Sequence, residues 1–170
     1  MIKVTAVVLV ALGLSASGFY FGAFYSKKTE AVSNIIMMLG IIRTQLRYSR
    51  MPLGALVRLL EENAAVGSLG FFSRCIEINE KGEAFGHSWE QSIKETKELC
   101  RLVPESLPYL IQFGERLGTT DLEGQLSCCE YYEHIFGEML KEKEEQSKKY
   151  SKLFPTLGIM LGISAAILIV

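Results

Sequence analysis

The sequence predicts an all-α protein, a cytoplasmic bundle of about six helices flanked by two transmembrane helices. Two uncharged, strongly apolar runs, residues 4–26 and 153–170, lie at the ends of the chain. Between them, apolar residues recur at the spacings of three and four that are typical of amphipathic helices. Basic residues adjoin both runs on their inner sides, which is the pattern expected of a two-pass membrane protein.

Each apolar run has the length of a membrane-spanning helix. The first would reach about 34 Å and the second about 27 Å, against a hydrocarbon core of roughly 30 Å. We therefore expect a first transmembrane helix in residues 1–26, the cytoplasmic bundle in 27–152 and a second transmembrane helix in 153–170. Two alternatives stay open, because the first run could instead be a cleaved signal peptide and the second a buried core helix.

Lysines set the predicted orientation of the middle segment. Five of them flank it on the inner sides of the runs: Lys27, Lys28, Lys148, Lys149 and Lys152. Only Lys3 and the amino terminus lie on the other side, so the positive-inside rule places residues 27–152 in the cytoplasm. The four cysteines show no C-x-x-C spacing, which favours small buried side chains in a reducing compartment.

Three helices are predicted in the first half of the middle segment. The first runs from Glu30 to Arg50 and ends before Pro52, because proline disfavours a helical conformation in the residue before it. A short second helix follows, and residues 63–70 are predicted as a turn. The third helix begins near residue 71 and stops near Gly82.

A fourth and a fifth helix are predicted on either side of the prolines at 104 and 108. The fourth covers about residues 84–99 and carries Trp89 on its apolar face. The fifth covers residues 110–117, and Gly118 after it suits the left-handed conformation that ends many helices.

The sixth predicted helix has the clearest start signal. Thr120-x-x-Glu123 has the spacing of a capping box, in which the threonine and the glutamate satisfy each other's backbone amides. The apolar stripe of this helix stops at Leu140. Residues 141–149 are mostly charged, so we expect a solvated stalk of about 14 Å there.

The sequence offers no catalytic constellation that we recognise. It has no G-x-x-x-x-G-K-[ST] phosphate loop, and His87 and His134 lie far apart without companion ligands. We therefore expect a protein that is not an enzyme and that holds neither a cofactor nor a metal. The net charge of −1 also excludes a nucleic-acid binder that works through overall positive charge.

Three arginines suggest a docking surface. Arg43, Arg47 and Arg50 fall at i, i+4 and i+7, which is one stripe of the first predicted helix. The stripe could bind an acidic partner or anionic lipid headgroups. The alternative is that the three arginines pair with the acidic later helices of the same bundle or are simply solvated.

Several motifs, in order over the full length, resemble the stage III sporulation protein AB family of endospore-forming bacteria. They are the segment 47–53 with its tyrosine and Pro-Leu, the segment 88–92 around a tryptophan, and the segment 113–118 with the polar residues after it. The residues of this chain that carry the last two motifs are Trp89, Gly114, Gly118, Asp121 and Gln125.

The resemblance implies a function that composition does not show. The family belongs to an eight-protein set made in the mother cell around the engulfed forespore. Its domain is similar to the cytoplasmic domain of the inner-membrane platform protein of type II secretion and type IV pilus systems. The implied partners are a secretion-type ATPase, stage III sporulation protein AA, the other proteins of the channel complex, further copies of the chain and membrane lipid, but no nucleic acid.

The leading hypothesis is thus a non-enzymatic platform that couples a cytoplasmic ATPase to a channel between mother cell and forespore. A membrane-tethered adaptor that only recruits a soluble partner is the alternative. An enzyme with an unrecognised site is a third. The first two differ in assembly, because a platform should be oligomeric whereas an adaptor can be a monomer.

The predicted orientation can be tested by cysteine labelling in intact cells. With the four native cysteines replaced, a single cysteine placed near Gly82 should not react with a membrane-impermeant reagent, because the positive-inside rule keeps this segment in the cytoplasm. Labelling from outside the cell would show that the topology is inverted.

Overall fold

The computed structural model describes the backbone of residues 2–49 and 51–169. It describes the side chains of residues 23–49 and 51–149, and of Leu153, Thr156, Met160 and Ser164. Over these residues the chain forms eight helices and no strand, which confirms the all-α class. The helices are α1 (Ile2–Tyr48), α2 (Leu53–Glu62), α3 (Ala64–Gly67), α4 (Phe72–Glu80), α5 (Phe85–Glu95), α6 (Lys97–Leu102), α7 (Leu107–Arg116) and α8 (Leu122–Ile169).

The chain divides into two compact units. One comprises Glu30–Leu140, and the other comprises Met1–Thr29 together with Lys141–Val170. The long helices α1 and α8 each contribute residues to both units. Leu140 is also the residue at which the apolar stripe of the sixth predicted helix stops.

The core of the unit Glu30–Leu140 is apolar and rich in aromatic rings. Residues from α1, α2, α4, α5, α7 and α8 meet in it, as their 3.6-residue apolar periodicity predicts. Its largest fully buried side chains are Trp89, Tyr132, Phe71, Phe72, Phe113, Phe136, Ile35, Met38, Leu39, Ile42, Leu56 and Leu60.

Trp89 is the centre of this core. Its side chain is fully buried, and its Nε1 donates a hydrogen bond of 2.9 Å to the Leu110 carbonyl oxygen of α7. The ring of Phe71 meets the indole edge-on at 4.9 Å between centroids, and the ring of Phe113 does so at 6.2 Å. An indole N–H is a donor that must be satisfied when buried, so the bond ties α5 to α7.

Gly114 is the residue of α7 on which the indole lies. A Cβ atom built at Gly114 would overlap Cδ1, Cγ and Nε1 of Trp89. One turn earlier on α5, a Cβ at Gly86 would come within 3.4 Å of the Glu115 Cα atom. The two helices therefore approach each other so closely that only glycine fits at Gly114.

The unit Glu30–Leu140 draws on eight helices, two more than the six predicted for the bundle, because two local breaks were missed. Residues 64–67 form α3 inside the predicted turn, since the Asn63 side chain accepts hydrogen bonds from the amides of Ala65 and Val66 and caps the helix start. The predicted fourth helix is divided into α5 and α6 at Thr96, whose backbone (φ −83°, ψ 84°) leaves the helical region. The Thr96 hydroxyl donates to the Ser92 carbonyl oxygen, and this side-chain hydrogen bond competes with the backbone bonds of a regular helix.

In the other unit, residues 141–149 are not a fully solvated stalk. The Thr29 hydroxyl donates a hydrogen bond of 3.3 Å to the Lys143 carbonyl oxygen. Lys143 is only 8% exposed, whereas Glu144 and Glu145 after it are exposed. The prediction of a solvated stalk is therefore wrong at Lys143, because this part of α8 packs against the α1 segment that belongs to the same unit.

The two predicted transmembrane helices, residues 1–26 and 153–170, lie almost wholly outside the described side chains. None of the described residues forms a helical stretch with the length and hydropathy needed to cross a bilayer.

The fit between Trp89 and Gly114 can be tested with Gly114→Ala. The new methyl group must displace a buried indole, and overpacking of this kind costs about 1–3 kcal/mol of unfolding free energy. Gly137→Ala in α8 is the matched control, because nothing lies within 4 Å of a Cβ at that position. Thermal and urea unfolding should show a loss for the first variant and no loss for the second. Equal stability of the two variants would contradict the close approach.

Candidate functional site

The connection between α7 and α8 is held by three residues of the third motif. Gly118 has φ +79°, so the left-handed conformation predicted for it is confirmed. Its amide donates to Oε1 of Gln125 at 3.2 Å, and Nε2 of Gln125 donates to the Thr120 carbonyl oxygen at 2.9 Å. Gln125 thus satisfies two backbone groups of the turn with one side chain.

Asp121 caps α8. Its Oδ1 accepts a hydrogen bond of 3.0 Å from the Gly124 amide, three residues on. The predicted capping box of Thr120 and Glu123 is therefore wrong: the helix begins one residue later, and the aspartate takes the capping position. A short carboxylate at this position also interacts favourably with the helix dipole.

An open groove of about 470 Å³ lies beside this turn. One wall comes from the end of α1, from Met51 and Pro52, and from the start of α2, and the other comes from the turn and the first residues of α8. Its lining is mainly apolar: Leu46, Met51, Pro52, Leu53, Gly118, Leu122 and Gln125. We call this surface the 46–125 groove.

The structure describes two of the three arginines of the predicted stripe, Arg43 and Arg47. Nη1 of Arg43 lies 3.2 Å from a carboxylate oxygen of Glu133 and 3.6 Å from one of Glu130, both on α8. Arg43 therefore follows the alternative interpretation, internal pairing with a later acidic helix. Arg47 is exposed, and Arg50 lies outside the described residues.

Tyr48 stands next to the groove in sequence and reaches into solvent. It is 78% exposed, more than any other large hydrophobic side chain that the structure describes. The preceding residue, Arg47, is also exposed. An exposed tyrosine and an exposed arginine beside an apolar groove are the residue types that contribute most binding energy at protein interfaces.

The sequence motifs agree with the comparison to protein families. The family model of stage III sporulation protein AB matches residues 3–170. The chain belongs to the stage III sporulation protein AB family. The resemblance predicted from the motifs is confirmed, and the chain is a sporulation protein. No curated protein and no solved structure matches it.

The motif residues of this family member fall into two groups in space. Trp89 and Gly114 belong to the core contact between α5 and α7, whereas Gly118, Asp121 and Gln125 form the α7–α8 turn. Both groups of residues stabilise the fold. Sequence reasoning found these residues from motif spacing, but it missed the groove, because the groove combines residues that are more than sixty positions apart.

The thiols and carboxylates of the described residues show no metal-binding cluster. All four cysteines are free thiols. Burial raises the pKa of Cys75 to about 11 and that of Cys129 to about 12, so both stay protonated at neutral pH. A protonated thiol is a poor nucleophile, so these two side chains act as small core residues.

Glu133 pairs with Arg43, but burial of its carboxylate costs free energy. Its Oε1 atom is buried without a hydrogen-bond partner and faces Gly40 of α1. Burial raises the pKa of this carboxyl group, Arg43 opposes the rise, and Glu130 adds to it. Burial outweighs the ion pair, because only part of the carboxylate meets the guanidinium.

The turn can be tested with Gly118→Ala. The substitution forces a non-glycine residue into the left-handed region and brings its Cβ within 2.7 Å of the Leu53 Cδ1 atom, so we expect a loss of about 2–3 kcal/mol of unfolding free energy. Gly82→Ala is the control: it has φ +93° but nothing within 4 Å, and should cost only the backbone strain of about 1–2 kcal/mol. Chemical denaturation of both variants separates the two effects. If Gly118→Ala were no less stable than Gly82→Ala, the contact with Leu53 would have no measurable effect on stability.

The cost of burying Glu133 predicts a pH dependence. Its folded-state pKa lies above the unfolded value, so its contribution to stability is complete below the unfolded pKa and is lost as the pH rises through the folded pKa. Glu133→Gln stays neutral, so near pH 7 it should be more stable than the parent protein, and the difference should shrink toward about pH 4. Glu130→Gln, at a carboxylate that is 55% exposed, should change little. Urea unfolding across this pH range is the measurement, and a destabilised Glu133→Gln at pH 7 would mean that the ion pair outweighs burial.

Proposed function

We propose that this sporulation protein is a non-enzymatic, two-pass platform in the mother cell membrane around the forespore. It would couple the secretion-type ATPase, stage III sporulation protein AA, to a channel complex in the envelope between the two cells. The observation that carries the proposal is the structural role of the motif residues. Trp89, Gly114, Gly118, Asp121 and Gln125 all hold a helical scaffold or shape the wall of an open groove.

A scaffold of this kind suits protein binding. The bonds of Gln125 and Asp121 fix the turn before any partner arrives, so little conformational freedom is lost on binding. The exposed Arg47 and Tyr48 supply charge and aromatic surface next to the apolar lining. These are the features of an interaction domain in a multiprotein assembly.

The membrane part of the proposal rests on the amino-acid sequence. Both ends of the chain are uncharged and apolar over at least 18 residues, and the lysines adjoin their inner sides. Two spans with a cytoplasmic domain between them would bring the groove to the compartment in which an ATPase finds its nucleotide.

A membrane-tethered adaptor is the second candidate, because one copy of the chain forms the whole groove. The two functions differ in assembly. A platform should form a defined oligomer in detergent, which sedimentation of the full chain would detect, whereas an adaptor should sediment as a monomer.

Capture of the cognate ATPase tests the proposal directly. The full chain in detergent should retain purified stage III sporulation protein AA, and Arg47→Glu should weaken the capture by about tenfold, because a reversed charge opposes electrostatic steering. Arg43 is left unchanged, since its loss would strand Glu133 and disturb the fold.

The control is Lys97→Glu, which reverses an exposed charge on α6. It should bind like the parent protein at every salt concentration. No capture of the ATPase by the folded full chain, at low salt and with nucleotide present, would overturn the coupling role.

A further inference from the structure

The outward side of α1 within the unit Glu30–Leu140 carries no charge. Residues 31–42 contain no acidic and no basic residue, although only one side of this helix is buried in the core. The residues on the other side recur at spacings of three and four, so they share one face. They are exposed or half-buried: Ser33, Ile36, Met37, Gly40, Ile41 and Thr44. We call this surface the α1 outer face.

The other long helices of the unit are solvated in the usual way. A surface helix normally turns charged residues toward water and apolar residues toward the core. The helices α2, α4, α5, α7 and α8 each place a charged residue at an exposed position: Glu61, Glu77, Lys94, Glu115 and Glu130 in that order. On the α1 outer face, Met37 is instead 45% exposed. An uncharged face of this kind is suited to burial against another protein.

The middle of the α1 outer face can be covered closely. The nearest atom that a Cβ at Gly40 would meet outside its own stretch of helix is Oε1 of Glu133, at an ordinary contact distance of 3.8 Å. Packing within the chain therefore does not require glycine there, and its bare backbone is open to a neighbour. The Thr44 hydroxyl donates to the Gly40 carbonyl oxygen at 2.8 Å. Because it keeps this partner when covered, its burial avoids the cost of an unsatisfied polar group.

A second copy of the chain fits this surface by charge. In a parallel contact about a two-fold axis, each residue of one helix meets the same residue of the other. A charged face would therefore bring like charges together. The α1 outer face avoids this repulsion, whereas the exposed charges on the other five helices would cause it.

The charges nearest to the α1 outer face do not oppose such a contact. Arg43 at its edge is already paired with Glu130 and Glu133 of the same chain. Beyond the face, the exposed Glu30 and Arg47 lie roughly 15 Å and 10 Å along the helix from its middle. Paired helices cross at an angle, so at these distances they have begun to diverge.

We propose that the α1 outer face is a contact surface between two copies of the chain, with their α1 helices parallel and closest at Gly40. The inference rests on the proposed function in one respect, because copies inserted in the same membrane by the same ends would have α1 running in the same direction. It goes further by giving self-association a surface and a direction. The face ends before Leu46, the α1 residue that lines the 46–125 groove, so the groove lies outside this contact.

A lipid surface suits the α1 outer face less well than a second copy does. Arg43, Glu130 and Glu133 lie at its edge. A bilayer that covered the face would draw these charged groups toward hydrocarbon, which is costly. A single helix covers the face and leaves the ion pairs at a solvated rim.

Disulfide cross-linking tests the proposal in membranes of cells that express the full chain with its four native cysteines replaced. A disulfide requires two Cα atoms about 4.4–6.8 Å apart. On oxidation, we expect Met37→Cys and Gly40→Cys each to give a dimer of twice the 19.0 kDa chain mass. Gln112→Cys on α7 and Ser127→Cys on α8, at exposed positions of other helices, should stay monomeric.

Thr44→Cys decides the direction of the two helices. In the parallel arrangement it should also link to itself, because residue 44 of each copy lies at the same height. An antiparallel pair that crossed at Gly40 would separate the two copies of residue 44 by about 12 Å along the axis. Linking at Gly40→Cys without linking at Thr44→Cys would therefore overturn the parallel contact.

Charge at position 37 provides an independent test. Met37→Glu should lower linking through Gly40→Cys at least about tenfold, and so should Met37→Lys, because each brings like charges together across the interface. When differently tagged chains with these two substitutions are expressed together, linking between the two kinds of chain should return, since opposite charges then meet. The matched control is Tyr131→Glu, at a tyrosine of α8 that is 59% exposed, and it should change nothing.

Circular dichroism melting of the purified chains checks that each variant is folded. The exposure of Met37 makes loss of folding by its replacement an unexpected result. If folded chains with Met37→Glu and Met37→Lys did not link to each other when mixed, the self-contact would be wrong. Equal linking at Ser127→Cys and Gly40→Cys would show random collision and would also overturn it.

The remaining outcomes assign the face to another occupant or separate it from the coupling role. Linking of Gly40→Cys to a different protein would make that protein the partner. A Gly40→Cys chain that does not link, and that reacts with a water-soluble maleimide in detergent but not in the membrane, would assign the face to lipid. Dimer linking without capture of the ATPase would leave the self-contact in place and remove only the coupling role. Capture without linking would overturn the self-contact alone.

Discussion

The indole of Trp89 lies on the bare backbone of Gly114, and the rest of the unit Glu30–Leu140 is arranged around that contact. It sets the separation of α5 and α7, and the hydrogen bond to the Leu110 carbonyl oxygen sets their relative register along the helix axes. The end of α7 then fixes where Gly118 reverses the chain, and this reversal brings the start of α8 beside the start of α2. A core contact thereby positions a surface that it does not touch.

The family motifs contain residues that stabilise the fold and residues that stay exposed on the surface. Trp89, Gly114 and Gly118 are committed to packing or to a backbone conformation, and Gln125 to the turn. The tyrosine of the first motif is different, because Tyr48 is largely in solvent and contributes little to the fold. Packing requirements account for the first group. They do not account for Tyr48, whose ring remains exposed to solvent.

Much of the helical architecture follows from local sequence signals. Where the structure differs from the prediction, the cause is a helix cap or a contact between distant residues. The spacing of apolar residues predicted helices in nearly the right places, and Gly118 was identified because few other residues accept a positive φ. The cap at Asn63 was missed, and the cap of α8 was predicted at Thr120, one position before Asp121. Several polar residues in each turn could serve equally well as caps. The ion pairs of Arg43 join residues about ninety positions apart, and no local pattern reveals such a partner. The groove escaped prediction for the same reason.

The walls of the groove come from two parts of the chain that meet only when it is folded: Met51 and Pro52 between α1 and α2, and the α7–α8 turn around Gly118. In the unfolded chain these segments are separated by more than sixty residues and offer no common surface. A partner that bound the groove would therefore distinguish folded from unfolded copies of the chain. Binding at the groove would then select for correct folding, and a copy with a defective core would be left out of any complex formed through this surface.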